Sequence, residues 1–281
     1  MLIKSHDRIV CMVKYFVTDI DHTLFDVEIG IHPKNIETLI KLQESGVTLI
    51  LASGRTITSM LNVAKAVNLE KYGGYIIGAN GTMVQKANEK QPFVQYDHSI
   101  EDLNEYIQEA LKLGLHFSLE QDGILYYSHL DHSVIYERDH CEIPVKPMSE
   151  IDDEVKVAFP KLCLHRENSD YPKLLDQFIE KYHSKAYCER FSDSYMDVMP
   201  FGHSKLSGIE EILKREGDDL SHVAAIGDSV NDRIMLTHVG LSAAVANAAP
   251  FIQEVADIIV SDVRKAGVAE FANLVMERNK L

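Results

Sequence analysis

The sequence predicts an α/β protein in which a parallel β-sheet domain is interrupted by an inserted α/β unit. Apolar runs alternate with helix-like segments through the first eighty residues, and the same alternation returns after residue 200. Alternating strands and helices are typical of parallel sheets with right-handed crossovers. The intervening segment has shorter strand-like runs. We therefore place the core domain at residues 1–82 and 200–281, and the inserted α/β domain at residues 83–199.

The first half of the core is predicted as strand, helix, strand, helix, strand. Tyr15–Thr18 is a short apolar run, and Val47–Ala52 is a continuous one, as expected of a strand covered on both faces. Between them, Pro33 suits the first turn of a helix that stops at Gly46. The pattern ends with a helix at Ile57–Val67 and a strand at Tyr75–Gly78.

The remaining predictions follow the same periodicities. In the insertion we predict strands at Thr82–Val84, Pro92–Tyr96, Leu115–Leu119, Ile124–Tyr127, Val155–Phe159, Ala186–Phe191 and Tyr195–Val198, with helices at Ser99–Leu113 and Tyr171–Tyr182. In the second half of the core we predict strands at His222–Ile226, Leu241–Val245 and Asp257–Val260, with helices at Leu206–Lys214, Asp232–His238 and Gly267–Met276. Gly78–Gly81 and Pro200–Gly202 are the expected hinges.

Composition limits the class of function. The 281 residues are 46% hydrophobic and 25% charged, and no apolar run approaches the roughly 18 residues that cross a bilayer. The formal net charge of −15 argues against nucleic acid and anionic membranes as partners, so a phosphorylated substrate needs a locally positive site. Four cysteines without a CxxC pair indicate reduced thiols. We expect a cytoplasmic protein, monomeric or a small homo-oligomer.

Acidic residues follow the first core strand. Asp19 and Asp21 come directly after Tyr15–Thr18, and ligands of open α/β sheets bind beyond the carboxyl ends of strands. Two carboxylates this close repel each other and favour uptake of a cation or a proton. A polar turn stabilised by local hydrogen bonds is the alternative interpretation of this pair.

Three more segments carry polar groups at strand ends or helix starts. Ser53 and Gly54 follow Val47–Ala52, where a hydroxyl and a sterically unobstructed backbone N–H suit an anion at a helix N-terminus. Gly227–Asp232 follows His222–Ile226 and offers the hard oxygen ligands that Mg²⁺ prefers. Lys205 lies at the start of a helix. Taken singly, each segment is also compatible with ordinary helix capping or a solvated surface.

Taken together, these segments resemble the four motifs of the haloacid dehalogenase superfamily of phosphotransferases. Asp19 with Asp21, then Ser53, Lys205 and Gly227–Asp232 occur in the order of those motifs. The insertion resembles the α/β cap of the Cof-type sugar-phosphate phosphatases. The resemblance covers nearly the whole chain beyond the first dozen residues, and it implies a Rossmann-like core with an inserted cap that closes over the site.

The resemblance also implies roles for the acidic residues. Asp19 is expected to accept the phosphoryl group as an aspartyl phosphate, and Asp21 to protonate the leaving oxygen and then deprotonate the attacking water. Mg²⁺ is expected on the side chains of Asp19 and Asp228 and on the backbone carbonyl of Asp21. Asp232 is expected to orient a metal-bound water or the lysine of the third motif.

The phosphoryl oxygens are expected to contact Ser53, Gly54, Lys205 and Asn231, which supply the local positive charge that an acidic chain needs. The expected activity is Mg²⁺-dependent hydrolysis of a small phosphorylated metabolite, a sugar phosphate or a phosphorylated cofactor. A phosphomutase or phosphotransferase on the same scaffold is one alternative, and a non-catalytic regulator that binds a phosphometabolite is another.

Some residues depart from the family pattern or are left open by it. His22 stands where glycine is usual, and we expect its side chain to face outward. Asn80 is compatible with either a substrate contact or a hinge role, and Arg55 with either an ion pair or a phosphate contact. Two pairs of metal-binding side chains have no third ligand evident in the sequence and are discounted: His129 with His132, and Cys163 with His165.

Overall fold

The computed structural model describes residues 2–3, 12–121, 123–140, 143–150, 158–166, 170–190 and 194–280. The chain divides into two compact units. Unit 1 comprises Met1–Val94 and Ser204–Leu281, and unit 2 comprises Gln95–His203. Among the described residues, no helix has the length and apolar character required to cross a bilayer.

The strands in chain order are β1 (Leu2–Ile3), β2 (Tyr15–Asp19), β3 (Phe25–Asp26), β4 (Gly30–Ile31), β5 (Thr48–Ala52), β6 (Tyr75–Gly78), β7 (Met83–Lys86), β8 (Val94–Gln95), β9 (His116–Gln121), β10 (Ile124–Tyr127), β11 (Val145–Pro147), β12 (Leu162–His165), β13 (Ala186–Arg190), β14 (Tyr195–Pro200), β15 (Val223–Gly227), β16 (Leu241–Val245) and β17 (Ile258–Val260). The α-helices are α1 (Pro33–Glu44), α2 (Ile57–Ala66), α3 (Leu69–Tyr72), α4 (Ile100–Lys112), α5 (His132–His140), α6 (Tyr171–Tyr182), α7 (Lys205–Glu216), α8 (Arg233–His238), α9 (Pro250–Val255) and α10 (Gly267–Arg278).

Unit 1 is built on a nine-stranded sheet with the order β1-β17-β16-β15-β2-β5-β6-β7-β8. The strands from β17 to β6 are parallel, so the predicted parallel α/β fold class is confirmed. All five residues of the central strand β2 are buried, as expected of a strand covered by helices on both faces. Phe16 on this strand packs its ring against Phe271 of α10, with centroids 5.3 Å apart.

The structure places two strands of the predicted insertion in the sheet of unit 1. β7 pairs antiparallel with β6, and β8 continues the same edge. A tight turn at Ala79–Gly81 reverses the chain between β6 and β7. This pairing could not be predicted, because a short apolar run fits either sheet equally well.

Unit 2 contains a six-stranded sheet with the order β11-β10-β9-β12-β14-β13. One face of it packs on α4 and α6 through buried side chains such as Leu119, Leu164 and Tyr106. Since successive side chains of a strand point to opposite faces, the other face carries polar residues, including Ser118 and Asp197, both of which are buried. These two polar side chains are therefore shielded from solvent.

Smaller differences concern segment ends. The strand predicted at Val155–Phe159 falls partly on residues outside the described ranges, and its last two residues are not in a strand. Cys163 and Cys188 are free thiols, and burial raises the pKa of Cys188 to about 12, so this thiol stays protonated near neutral pH. Cys11 and Cys141 lie outside the described residues.

Candidate active site

Adjacent strands bring the predicted site segments together at one edge of the unit 1 sheet. Asp19 is the last residue of β2, Ser53 follows β5, and Asp228 follows β15. The order β15-β2-β5 makes these strands neighbours, and parallel strands end at the same edge. Lys205 joins them as the first residue of α7, which is capped by the hydroxyl of Ser204.

Lys205 is fully buried and binds two of the aspartates. Its Nζ donates to Oδ1 of Asp19 at 2.6 Å and to Oδ1 of Asp232 at 2.7 Å. Burial disfavours the charged ammonium, but the carboxylates of Asp19 and Asp232 outweigh that cost and raise the pKa of Lys205. Of the two roles expected for Asp232, the structure shows the contact with the lysine.

A tight turn after β15 orients the other acidic groups. Asp232 Oδ2 accepts hydrogen bonds from the backbone N–H groups of Asp228 and Ser229 at 2.9 and 3.1 Å. A Cβ at Gly227 would lie 2.3 Å from Cγ of Asp232, so this turn requires glycine. Thr23 donates from its Oγ1 to Asp228 Oδ1 at 2.9 Å. Thr23 was not among the predicted site residues, although it stands in the same segment as the acid pair.

Ligand oxygens of Asp19, Asp228 and Asp232 lie within 4.8 Å of one another, and we call these three residues the aspartate cluster. Burial and repulsion from neighbouring carboxylates raise the pKa of Asp19 well above its ordinary value and that of Asp228 to about 7. Lys205 is the cation bonded within the cluster. When all three carboxylates are ionised, two negative charges remain uncompensated.

The cluster fits a divalent cation. Oδ2 of Asp19 is buried and has no hydrogen-bond partner among the described residues, and a buried acceptor without a partner costs about 1–3 kcal/mol. The donors are carboxylate oxygens, which are hard ligands of the kind that Mg²⁺ takes. A divalent cation shared by these carboxylates would balance the two excess charges, and the orphaned oxygen shows that the described residues leave bonding capacity for a ligand here.

Asp21 lies outside this cluster and pairs with an arginine. Nε of Arg55 donates to Asp21 Oδ2 at 2.9 Å, and its Nη2 donates to Oδ1, which makes the contact bidentate. The Ser53 hydroxyl lies 3.5 Å from Asp21 Oδ2 and accepts from the backbone N–H of Arg55 at 3.1 Å. Of the alternatives left open for Arg55, the structure therefore shows the ion pair.

The structure also locates the remaining candidates. Asn231 donates from Nδ2 to Oδ1 of Asn80 at 3.1 Å, while its own Oδ1 is buried with no partner among the described residues. Gly54 lies in the bend between Ser53 and α2. His22 has an exposed side chain and a positive φ of 61°, and its backbone carbonyl accepts from Asn247 Nδ2 at 2.7 Å. A left-handed backbone is easiest for glycine.

A family model described as haloacid dehalogenase-like hydrolase matches residues 16–271. The HMP-PP phosphatase of Escherichia coli is 24% identical over 254 residues, covering 85% of this chain and 86% of that protein.

Comparison with solved structures supports the same fold. A haloacid dehalogenase-like hydrolase from Bacteroides thetaiotaomicron superposes with a TM-score of 0.87 at 24% identity, covering 94% of this chain and 99% of that one. A sugar phosphatase described as subclass IIB of the same superfamily superposes with a TM-score of 0.79 at 18% identity, covering 93% and 98%.

Proposed function

The chain belongs to the haloacid dehalogenase-like hydrolases, and we propose that it is a Mg²⁺-dependent phosphatase of small phosphomonoesters. In this proposal the reaction proceeds through a phosphoryl group carried on Asp19. The names of two similar proteins, an HMP-PP phosphatase and a sugar phosphatase, support this substrate class. A sugar phosphate or a phosphorylated cofactor is the proposed substrate, and a cytoplasmic location stays a prediction.

The orphaned oxygen of Asp19 carries the proposal. Lys205 holds Oδ1 at 2.6 Å, so the carboxylate is fixed in orientation while Oδ2 keeps its lone pairs free. An ionised carboxylate oxygen of this kind is a competent nucleophile toward phosphorus. Because burial raises the pKa of Asp19, its ionisation depends on the positive charges placed beside it.

Mg²⁺ would be held by the carboxylates of Asp19 and Asp228 and by the backbone carbonyl of Asp21. When bound, it supplies positive charge that offsets the carboxylates and the phosphate oxygens. Lys205 and the Ser53 hydroxyl, with the Gly54 N–H and Asn231, are the proposed contacts of the phosphoryl oxygens. These groups give an acidic chain its locally positive site.

The proposed covalent steps use two carboxylates, those of Asp19 and Asp21. Oδ2 of Asp19 attacks phosphorus as the bond from phosphorus to the leaving oxygen breaks, and protonated Asp21 gives that oxygen its proton. Water then attacks the phosphorus of the aspartyl phosphate, Asp21 takes the proton from it, and inorganic phosphate leaves as Asp19 is regenerated. The bidentate contact with Arg55 fixes the orientation of the Asp21 carboxyl for both steps.

A test of the proposal uses a generic aryl phosphate with the purified protein. We expect turnover with Mg²⁺ and none with excess chelator, and Asp19→Asn should lower kcat by about a thousandfold or more. Asp176→Asn, a change of an exposed aspartate in unit 2, serves as the control. Equal rates with and without chelator, or an active Asp19→Asn protein, would contradict the proposal.

The reaction products distinguish a phosphatase from a phosphomutase. A phosphatase releases one inorganic phosphate for each alcohol formed, whereas a mutase returns the phosphoryl group to a sugar hydroxyl. A non-catalytic regulator would bind the phosphometabolite without releasing phosphate. Measuring phosphate and alcohol in the same reaction distinguishes all three.

A further inference from the structure

A second group of metal-ligating side chains lies within unit 2. His116, Asp131 and His165 place one ligand atom each within 4.8 Å of the others, and we call them the histidine cluster. Nδ1 of His165 lies 2.6 Å from Asp131 Oδ2, and Nδ1 of His116 lies 3.2 Å from the same oxygen. The proposed phosphatase mechanism uses none of these residues.

The sheet of unit 2 builds this group. His116 opens β9 and His165 closes β12, and the two residues are directly opposite each other in the antiparallel register. Side chains of such a pair lie on one face of the sheet, with Cβ atoms roughly 4.5–5.5 Å apart. Asp131, the residue before α5, completes the group with a carboxylate.

The carboxylate of Asp131 is held in a fixed orientation. Its Oδ1 accepts from the backbone N–H groups of Ser133 and Val134 at 3.1 and 3.3 Å. Oδ2 is thereby directed at the two imidazoles. Ligands of metal sites are commonly oriented by such secondary hydrogen bonds.

One imidazole has unfilled bonding capacity. His165 is fully buried, and its Nε2 has no hydrogen-bond partner among the described residues. Nδ1 of the same ring faces the Asp131 carboxylate at 2.6 Å. With the ring proton on Nε2, a cation bound at Nδ1 would use the lone pair that faces Asp131.

The donor set of the cluster suits a metal. It consists of two imidazoles and one carboxylate, with both Nδ1 atoms directed at Asp131 Oδ2. Neutral imidazole and ionised carboxylate are the forms that bind metal.

We propose that His116, Asp131 and His165 form a binding site for a borderline divalent cation of the Zn²⁺ type. Two nitrogens and one oxygen suit Zn²⁺ rather than Mg²⁺. Zn–ligand bonds of 2.0–2.1 Å in a tetrahedron separate ligand atoms by about 3.3 Å, close to the 3.2 Å between His116 and Asp131. The shorter contact of His165 opens by about 0.7 Å to reach this spacing.

The exposed His129 lies beside the cluster. Its ring packs against that of His116 with centroids 4.2 Å apart. An exposed neighbour of this kind leaves the cluster accessible to water from the His129 side. His129, one member of the HxxH pair discounted in the sequence, thus lies beside a group whose members come from other segments.

The test uses the full chain, stripped of metal, with Zn²⁺ chloride as the probe. The Asp228→Asn background removes one ligand of the aspartate cluster, so that binding there is weakened. With ¹⁵N-labelled histidine, we expect one equivalent of Zn²⁺ to shift the ring signals of His116 and His165, and Mg²⁺ to leave them in place. Calorimetry should show at least a tenfold weaker Zn²⁺ affinity in His116→Gln and in Asp131→Asn.

The matched control is His183→Gln, which changes an exposed histidine of unit 2 and should bind Zn²⁺ as the parent does. Absence of Zn²⁺ binding would overturn the proposal, as would binding that leaves the His116 and His165 signals unshifted. An unchanged affinity in His116→Gln would also overturn it. The ring signals are recorded without changing either histidine, so the result does not depend on how a variant folds.

Discussion

The aspartate cluster of unit 1 and the histidine cluster of unit 2 each bring three ligand atoms within 4.8 Å, yet their electrostatics differ. The first contains three carboxylates around one buried lysine, and burial with mutual repulsion raises the pKa of Asp19 and of Asp228. In the second, two imidazoles hydrogen-bond one carboxylate, and the pKa of Asp131 is lowered to about 2.

This difference shows how donor chemistry selects the cation. Excess negative charge and oxygen donors favour a hard cation such as Mg²⁺, which offsets charge at a phosphoryl-transfer site. Neutral nitrogen donors with one carboxylate favour Zn²⁺. Proximity of three ligands is common to both clusters, so only charge and donor type distinguish them.

The largest loss of stability is expected from removing the Lys205 ammonium from the aspartate cluster. Lys205→Met leaves three carboxylates, of which Asp19 and Asp232 are buried, without this ammonium partner, so the free energy of unfolding in metal-free buffer should fall by about 3–5 kcal/mol. Phosphatase activity should be lost as well. Chemical denaturation with and without Mg²⁺ measures this, and Mg²⁺ should restore part of the stability.

Lys65→Met, a change of an exposed lysine on α2, is the matched control and should alter stability by less than about 0.5 kcal/mol. If Lys205→Met unfolds at the same denaturant concentration as the parent, the charge imbalance assigned to the aspartate cluster is wrong.

An intermediate effect, a decrease in kcat, is expected when Arg55 is changed. Lysine cannot reproduce the bidentate contact with Asp21, so Arg55→Lys should leave Asp21 misplaced and lower kcat by about ten- to a hundredfold. KM should change little if Arg55 acts only through Asp21. Steady-state kinetics across pH measures this, with the exposed Arg138→Lys as control; an unchanged kcat and pH profile would exclude a positioning role.

The smallest effect is expected at a third group, Asp218, Asp219 and His222, which lies closer to solvent. Burial raises the pKa of Asp218, but hydrogen bonds from Lys14 and others lower it to about 2. A carboxyl whose pKa is lower in the folded state stabilises the protein above its ordinary pKa and loses that contribution as pH falls toward 2.

Asp218→Asn should therefore cost about 1 kcal/mol or less near pH 7, since Lys14 is largely exposed to solvent screening. The difference from the parent should shrink as pH falls from about 4 to 2. Urea unfolding at several pH values measures it. A difference that grows toward low pH would contradict the sign assigned here.

Much of the candidate site could be predicted because its residues follow strand ends. Asp19, Ser53 and Asp228 are each adjacent in sequence to a parallel strand, and the geometry of such sheets brings those ends together. The partner of Arg55 was not predictable, since a long side chain reaches several acids and local packing decides among them. The pairing of β7 and β8 with the unit 1 sheet was not predicted for a related reason, because a short apolar run does not specify its pairing partner.

The histidine cluster could not be predicted from the sequence. His116 and His165 become neighbours only through the register of β9 and β12, and Asp131 joins them through the chain that leads into α5. Register depends on contacts between segments distant in sequence, whereas the carboxyl edge of a parallel sheet is set by strand direction alone. The fold class and the aspartates at that edge were therefore predictable from the order of strands and acidic residues along the chain, whereas the histidines that share a carboxylate became evident from the three-dimensional register.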